Sequence, residues 1–171
     1  LDLTHEERAW LRDHPQIRLR VDPDWPPYEF VDSNGELRGL STDILHMIEQ
    51  RLGIHFQTVS TNWAGGLVQL EERKLDMLSN IVSTPDRERY LLFSDSYIAP
   101  KYAIFTRKDG PPIHEMSDLQ GRKVAVENRF RIHDLLLAEY PNIDLSVVDT
   151  TADALKALSF GQADAYIGNQ G

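Results

Sequence analysis

The residues with the densest chemistry in this chain stand together in "VDPDWPPYEF", from Val21 to Phe30. Three carboxylates, Asp22, Asp24 and Glu29, are set among Trp25, Tyr28 and Phe30, while Pro23, Pro26 and Pro27 stiffen the segment against regular structure. Paired carboxylates can act as general acid and base, although spacing within a proline-rich loop does not fix their separation in space. Rigid aromatics beside hydrogen-bonding groups can instead wall and orient a small ligand at little ordering cost. A braced turn whose aromatics fold under into the core has the same composition.

Other chemistries find less support. His5, His14, His46, His55, His114 and His133 follow neither H-x-x-x-H nor HExxH spacing, so no metal site is expected. "WAGG" has too few glycines, in the wrong order, for a phosphate loop or a dinucleotide fingerprint. Ser79, Ser83, Ser94 and Ser96 lie outside any G-x-S-x-G context. The absence of cysteine removes disulfides, thiolate metal sites and thiol nucleophiles. Asp22 and Glu127 are the only acids to consider for catalysis, and no catalytic residue, metal or cofactor is assigned. A formal charge of -9 with scattered Lys and Arg argues against a nucleic-acid surface. The 171 residues, 41% hydrophobic and 26% charged, are ordinary for one domain or two small lobes. No apolar run reaches membrane-spanning length, and no basic-plus-apolar leader stands at the start.

The elements that must position these residues follow from periodicity. "LTHEERAWLRDHP" opens on a Thr4/Glu7 capping box and stops before Pro15. In "IRLRV", Ile17, Leu19 and Val21 alternate with Arg18 and Arg20 as in a strand. Asn34-Gly35 marks a tight turn. "STDILHMIEQRLG" predicts a helix that starts on a Ser/Thr/Asp cap, faces the core with Ile44, Leu45, Ile48 and Leu52, and ends at Gly53. A strand around Phe56, a helix in "GGLVQLEERKL" with Leu67, Leu70 and Leu75 buried, a short strand in "DMLSNIV" and a helix start in "STPDRER", with Thr84 as N-cap and Pro85 at the first helical position, follow. "KYAIFTR" is extended, and Asp109 to Pro112 breaks the chain. The alternation then restarts as strand "KVAVE", helix "IHDLLLAEY", strand "IDLSVV", helix "TADALKALSFG" and strand "ADAYIG". Strands alternating with helices predict an α/β protein with mostly parallel sheets, whose loops at the strand carboxyl ends converge on one crevice. Asp22, Trp25, Trp63, the run from Ser79 to Arg87, and Asn169 all follow predicted strands.

In order along the chain, "IRLRVDPDWPPYEFVDSNGELRGLSTDIL", "RKLDMLSNIVSTPDRERYLLFSDSY", "SDLQGRKVAVE" and "ALSFGQADAYIGN" resemble the bacterial extracellular solute-binding proteins that bind polar amino acids. The likeness is greatest to the Venus-flytrap sensor modules of sensor histidine kinases and related receptors. It runs from about Ile17 to the last residue, and Trp25-Pro26-Pro27, the T-x-x-R ending at Arg87, and G-x-A-D-A carry most of it. The resemblance implies a helical lead-in over 1–16, one α/β lobe over 17–105, a hinge, and a second, incomplete lobe over 106–171 with an exposed sheet edge open to association, such as a dimer. It implies a non-enzymatic, periplasmic domain tethered to the inner membrane that closes over a small amino acid or organic acid. That domain would signal to the membrane receptor part of the same chain. A solute-binding subunit that partners a transporter permease, and an enzyme of the same fold, are the alternatives.

By position, Asp22 would lie near the ligand's distal group, Trp25 and Trp63 would wall its body, Ser79 and Asn80 would offer hydrogen bonds, and Arg87 would clamp a carboxylate with its planar fork. The chain departs from the resemblance at two places. Asn169 stands where a carboxylate commonly receives an α-ammonium group. "ENRFRIHD" replaces a small-residue loop that presents backbone N–H groups, so Arg129 or Arg131 is expected either to take over the anion or to face solvent.

Overall fold

A computed structural model describes residues 2–99 and 101–170. The chain forms two compact units that divide between Phe93 and Ser94.

In the first unit, α1 (His5–Asp13) begins on the expected capping box. The Thr4 hydroxyl accepts from the Glu7 N–H at 3.1 Å and the Glu7 carboxylate from the Thr4 N–H at 2.7 Å. β1 (Ile17–Val21) leads into β2 (Asp24–Trp25) and β3 (Glu29–Val31), so the proline-rich segment does contain regular structure. The prolines are accommodated because Pro26 and Pro27 form the turn, closed by Tyr28 N–H on the Trp25 carbonyl at 3.0 Å, and Pro23 contributes its carbonyl to the Val31 N–H. β4 (Leu37–Arg38) completes a three-stranded antiparallel sheet through the Asn34-Gly35 turn, where Gly35 has φ 81°.

α2 (Leu40–Leu52) ends at Gly53 in the left-handed conformation, as expected, but it starts earlier than its Ser/Thr/Asp signal. Gly39 is its N-cap, at φ 122°, and a Cβ there would run into the Tyr28 carbonyl. Ser41 and Thr42 are thereby carried into the first turn and buried instead of capping it. β5 (Phe56–Ser60), α3 (Trp63–Glu71) and β6 (Met77–Leu78) follow. The parallel sheet has order β5-β1-β6, which makes β1 the central strand, and Leu19, Val21, Leu45 and Phe56 form its core. Leu67 and Leu70 are buried as the helix pattern requires, but α3 ends at Glu71, so Leu75, expected on the same helix, is buried from the connection that leads to β6.

The second unit is a sheet of order β7-β10-β8-β9, built from β7 (Lys101–Thr106), β8 (Lys123–Glu127), β9 (Asp144–Val148) and β10 (Ala165–Gln170). β7 pairs antiparallel with β10 along its whole length, which puts the boundary between the units before β7, not after residue 105. α4 (Arg131–Glu139) covers one face, where Ile132 and Leu136 meet Val124, Val126 and Ile167. α5 (Thr151–Ser159) covers the other, where Ala154, Ala157 and Leu158 meet Ala125 and Tyr166. Alternate residues of β8 and β10 serve opposite cores, so both strands are apolar on both faces.

Candidate functional site

In the first unit, six of the eight residues singled out by sequence fall on one continuous network at the carboxyl ends of β1 and β6. Asn80, just beyond β6, donates through Nδ2 to the buried Ser41 hydroxyl at 2.6 Å and to Ser79 Oγ at 3.2 Å. Ser79 donates to Glu29 Oε1, and Glu29 Oε2 accepts the Asp22 backbone N–H at 2.8 Å. The Asp22 carboxylate accepts from Arg20 Nη2 at 2.7 Å and from the Asp24 N–H at 3.1 Å. The Arg20 guanidinium carbon lies 5.4 Å from the centre of the Trp63 ring, and that of Arg87 lies 5.5 Å from the same centre. Trp25 joins through the β2–β3 pairing, opposite Glu29, and its ring is 4.6 Å from that of Tyr28.

Each member is held by local structure. Trp63 is the first residue of α3, whose N-cap Asn62 accepts the Gly65 N–H at 2.8 Å. In place of the helix expected from Thr84 and Pro85 stands a single 3-10 turn, Arg87–Arg89, in which Arg87 has its N–H on the Thr84 hydroxyl at 3.3 Å and its Nη1 on the Val82 carbonyl at 3.0 Å. It is 5% exposed, so the charge is largely withdrawn from water.

Two members of the network were not assigned a role from sequence. Arg20, at 3% exposure, belongs to the face of β1 expected to look outward; on a central strand both faces are covered. Besides Asp22 it holds the Thr61 carbonyl through Nε at 3.1 Å and Nη2 at 2.9 Å. The signal for it is Gly66: a Cβ there would lie 3.0 Å from Arg20 Cγ, so glycine lets α3 approach this side chain without displacing it. Glu29, at 1% exposure, joins the two strand ends. Burial raises its carboxyl above the ordinary value, while the hydrogen bonds from Ser79 and Asp22 and the Arg20 charge pull it back.

The second unit holds the remaining two. Arg131 is the first residue of α4, half-buried. Asn169 lies on β10 opposite Tyr102, and its Oδ1 is buried with no hydrogen-bond partner among the described residues. The "ENRF" loop does not offer its backbone N–H groups: Asn128 donates to the Val148 carbonyl at 2.8 Å, Arg129 to His133 Nδ1 at 3.0 Å and Phe130 to the Glu127 carbonyl at 3.3 Å. Glu127 is buried too; its Oε1 accepts from Thr151 and from the Tyr166 hydroxyl, each at 2.7 Å. With both donors on one oxygen inside the α5-side core, Glu127 acts as a structural acceptor. Among the described residues no group of three or more His, Asp or Glu side chains is placed to hold a metal ion, and no helix is long and apolar enough to cross a membrane.

Comparison with known proteins places this geometry. Residues 17–164, from the first residue of β1 to the one before β10, match the model of the bacterial extracellular solute-binding proteins, family 3. Sensor protein EvgS of Escherichia coli O157:H7 is 33% identical over 99% of the chain, which spans only 14% of that protein's length. The periplasmic VFT2 domain of BvgS from Bordetella pertussis superposes with a TM-score of 0.82 at 26% identity, covering 98% of this chain and 72% of that one. Holo ArgBP from T. maritima does so with a TM-score of 0.84 at 29% identity, covering 94% and 72%. These relatives are sensor or solute-binding domains, and the fold is the periplasmic-binding-protein-like Venus flytrap. The chain belongs to the bacterial extracellular solute-binding proteins, family 3.

Proposed function

We propose that this chain is the periplasmic ligand-binding domain of a membrane-tethered sensor such as a histidine kinase, and that its ligand is a small carboxylate, an amino acid or an organic acid. The observation that carries the reading is the buried Arg87 guanidinium beside Trp63: a planar two-donor fork, removed from water, next to an aromatic wall. A carboxylate meets such a fork bidentately, and low exposure strengthens the contact. Asn80, Ser79 and Trp25 supply adjacent polar and apolar surface in the first unit. The sensor assignment rests on the similarity to EvgS and BvgS. A free solute-binding subunit of an uptake transporter has the same binding physics, and the full reading frame separates the two.

The test is a thermal-shift screen of amino acids and organic acids, followed by calorimetric titration of the best ligand with wild type and Arg87→Lys. Ligand binding raises the melting temperature by mass action. Lys keeps the charge but loses the fork, so affinity should fall by about 1–3 kcal/mol. Equal affinities for the two proteins refute the clamp.

A further inference from the structure

Asp22 is the acidic side chain that the resemblance sets at the ligand's distal end, where a carboxylate would receive a cation. Here it has been given a partner from its own strand. Arg20 Nη2 sits 2.7 Å from Asp22 Oδ2, with the two side chains 3% and 14% exposed. Asp22 Oδ1 accepts the Asp24 N–H, so both carboxylate oxygens are engaged within the protein. The arginine is itself pinned. Nε and Nη2 hold the Thr61 carbonyl, Gly66 fits closely over its aliphatic stem, and Trp63 lies under its guanidinium. Nη1 has no hydrogen-bond acceptor among the described residues, which leaves its N–H groups as the donors this corner can present.

A ligand cation seeking Asp22 meets a buried guanidinium already bound to it. Displacing Arg20 would strand a charge that is almost wholly withdrawn from water, and leaving it in place sets like charges side by side. Resting on the carboxylate site proposed above, we infer that Arg20 makes this site select against cationic ligands: the ligand is a carboxylate whose distal end is an uncharged or anionic hydrogen-bond acceptor, held by Arg20 Nη1. Arg20 is thus a specificity-determining residue. The two guanidinium carbons, each close to the same Trp63 ring centre, are at most about 11 Å apart, a span that one small bifunctional acid can bridge.

The experiment titrates L-glutamate, L-glutamine, succinate, glutarate, L-arginine and L-lysine into wild type, Arg20→Met and Asp22→Asn, with each variant checked for native circular dichroism. Wild type should bind at least one of the first four, with arginine and lysine about a hundredfold weaker. Arg20→Met, which releases the Asp22 carboxylate, should gain affinity for arginine and lysine and lose it for the acids. Asp22→Asn removes the counter-charge of Arg20 and should tighten the dicarboxylates about tenfold; if Asp22 instead received a ligand ammonium, this variant would weaken the amino acids. Binding of arginine or lysine to wild type as tightly as the acids overturns the inference alone. So does a folded Arg20→Met with unchanged preference, and if that variant does not fold, Asp22→Asn decides by the sign of its effect. Failure of wild type to bind any of the six overturns the carboxylate reading and the inference with it.

Discussion

Replacing Gly66 with alanine tests whether Arg20 is as fixed as its contacts imply. Gly66 lies inside α3, and an alanine there gains about 1 kcal/mol of helix propensity. Against this, the new methyl would stand 3.0 Å from Arg20 Cγ, 3.2 Å from Nε and 3.3 Å from Cδ, closer than side chains ordinarily pack. The sign of the net effect depends on whether Arg20 can retreat by a few tenths of an ångström. An exposed, free arginine would do so at no cost. This one is tied to Asp22 at 2.7 Å and to the Thr61 carbonyl at 2.9 and 3.1 Å, so a retreat stretches charge-assisted bonds in a buried setting.

Overpacking of this kind costs about 1–3 kcal/mol, which leaves a net loss of about 1 kcal/mol after the propensity gain. Trp10, Trp25 and Trp63 all belong to the first unit, so urea denaturation followed by tryptophan fluorescence reports on that unit alone. In an Arg20→Met background the flexible thioether yields, and the same glycine-to-alanine change should become stabilising by about 1 kcal/mol. A Gly66→Ala protein more stable than wild type, or an identical effect in both backgrounds, would show that Arg20 is mobile and that its pinning by α3 has been misread.

Two further outcomes depend on buried carboxylates. Tyr166→Phe removes one of the two donors on Glu127 Oε1 and leaves a carboxylate at 1% exposure with Thr151 alone, so the second unit's stability, followed in urea by circular dichroism, should fall by about 1–3 kcal/mol; an unchanged midpoint would mean that the Tyr166 hydroxyl bond contributes nothing. Burial raises the Glu29 carboxyl above its ordinary 4.5, so the folded state binds the proton more tightly than the unfolded chain. The contribution of Glu29 is therefore fully present below that value and is lost as pH rises through the elevated one. Glu29→Gln lacks this loss, and its stability relative to wild type should rise as pH climbs above 4.5 through the elevated value; parallel pH profiles would contradict the assignment.

The strand-and-helix alternation was legible because both units repeat one solution: parallel strands whose helices return over the faces of the sheet. "KVAVE", "IDLSVV" and "ADAYIG" appear as β8, β9 and β10 with the expected helices between them. Propensity misled where tertiary contacts outweighed it. Ser41 and Thr42 look like cap residues, yet the close approach of Gly39 to the Tyr28 carbonyl starts α2 before them and turns Ser41 inward as an acceptor for Asn80. "KYAIFTR" reads as extended from its own residues, but nothing in it states that its partner is β10, more than fifty residues later.

The network at the ends of β1 and β6 was legible in its loop residues and not in the strand beneath them, for the same physical reason. Trp25, Trp63 and Arg87 stand out because each follows a predicted strand, where large aromatics and an arginine break the local pattern. Arg20 was masked by a regular alternation, in which a charged residue between Leu19 and Val21 is assigned to solvent. That assignment holds for a sheet with one wet face and fails for a central strand covered on both. The decisive clue is in α3: a glycine inside a helix costs about 1 kcal/mol, and Gly66 makes room for the stem of an arginine that neutralises Asp22. The charge a ligand meets at this corner is therefore set two residues before the proline-rich loop, inside the strand that carries it.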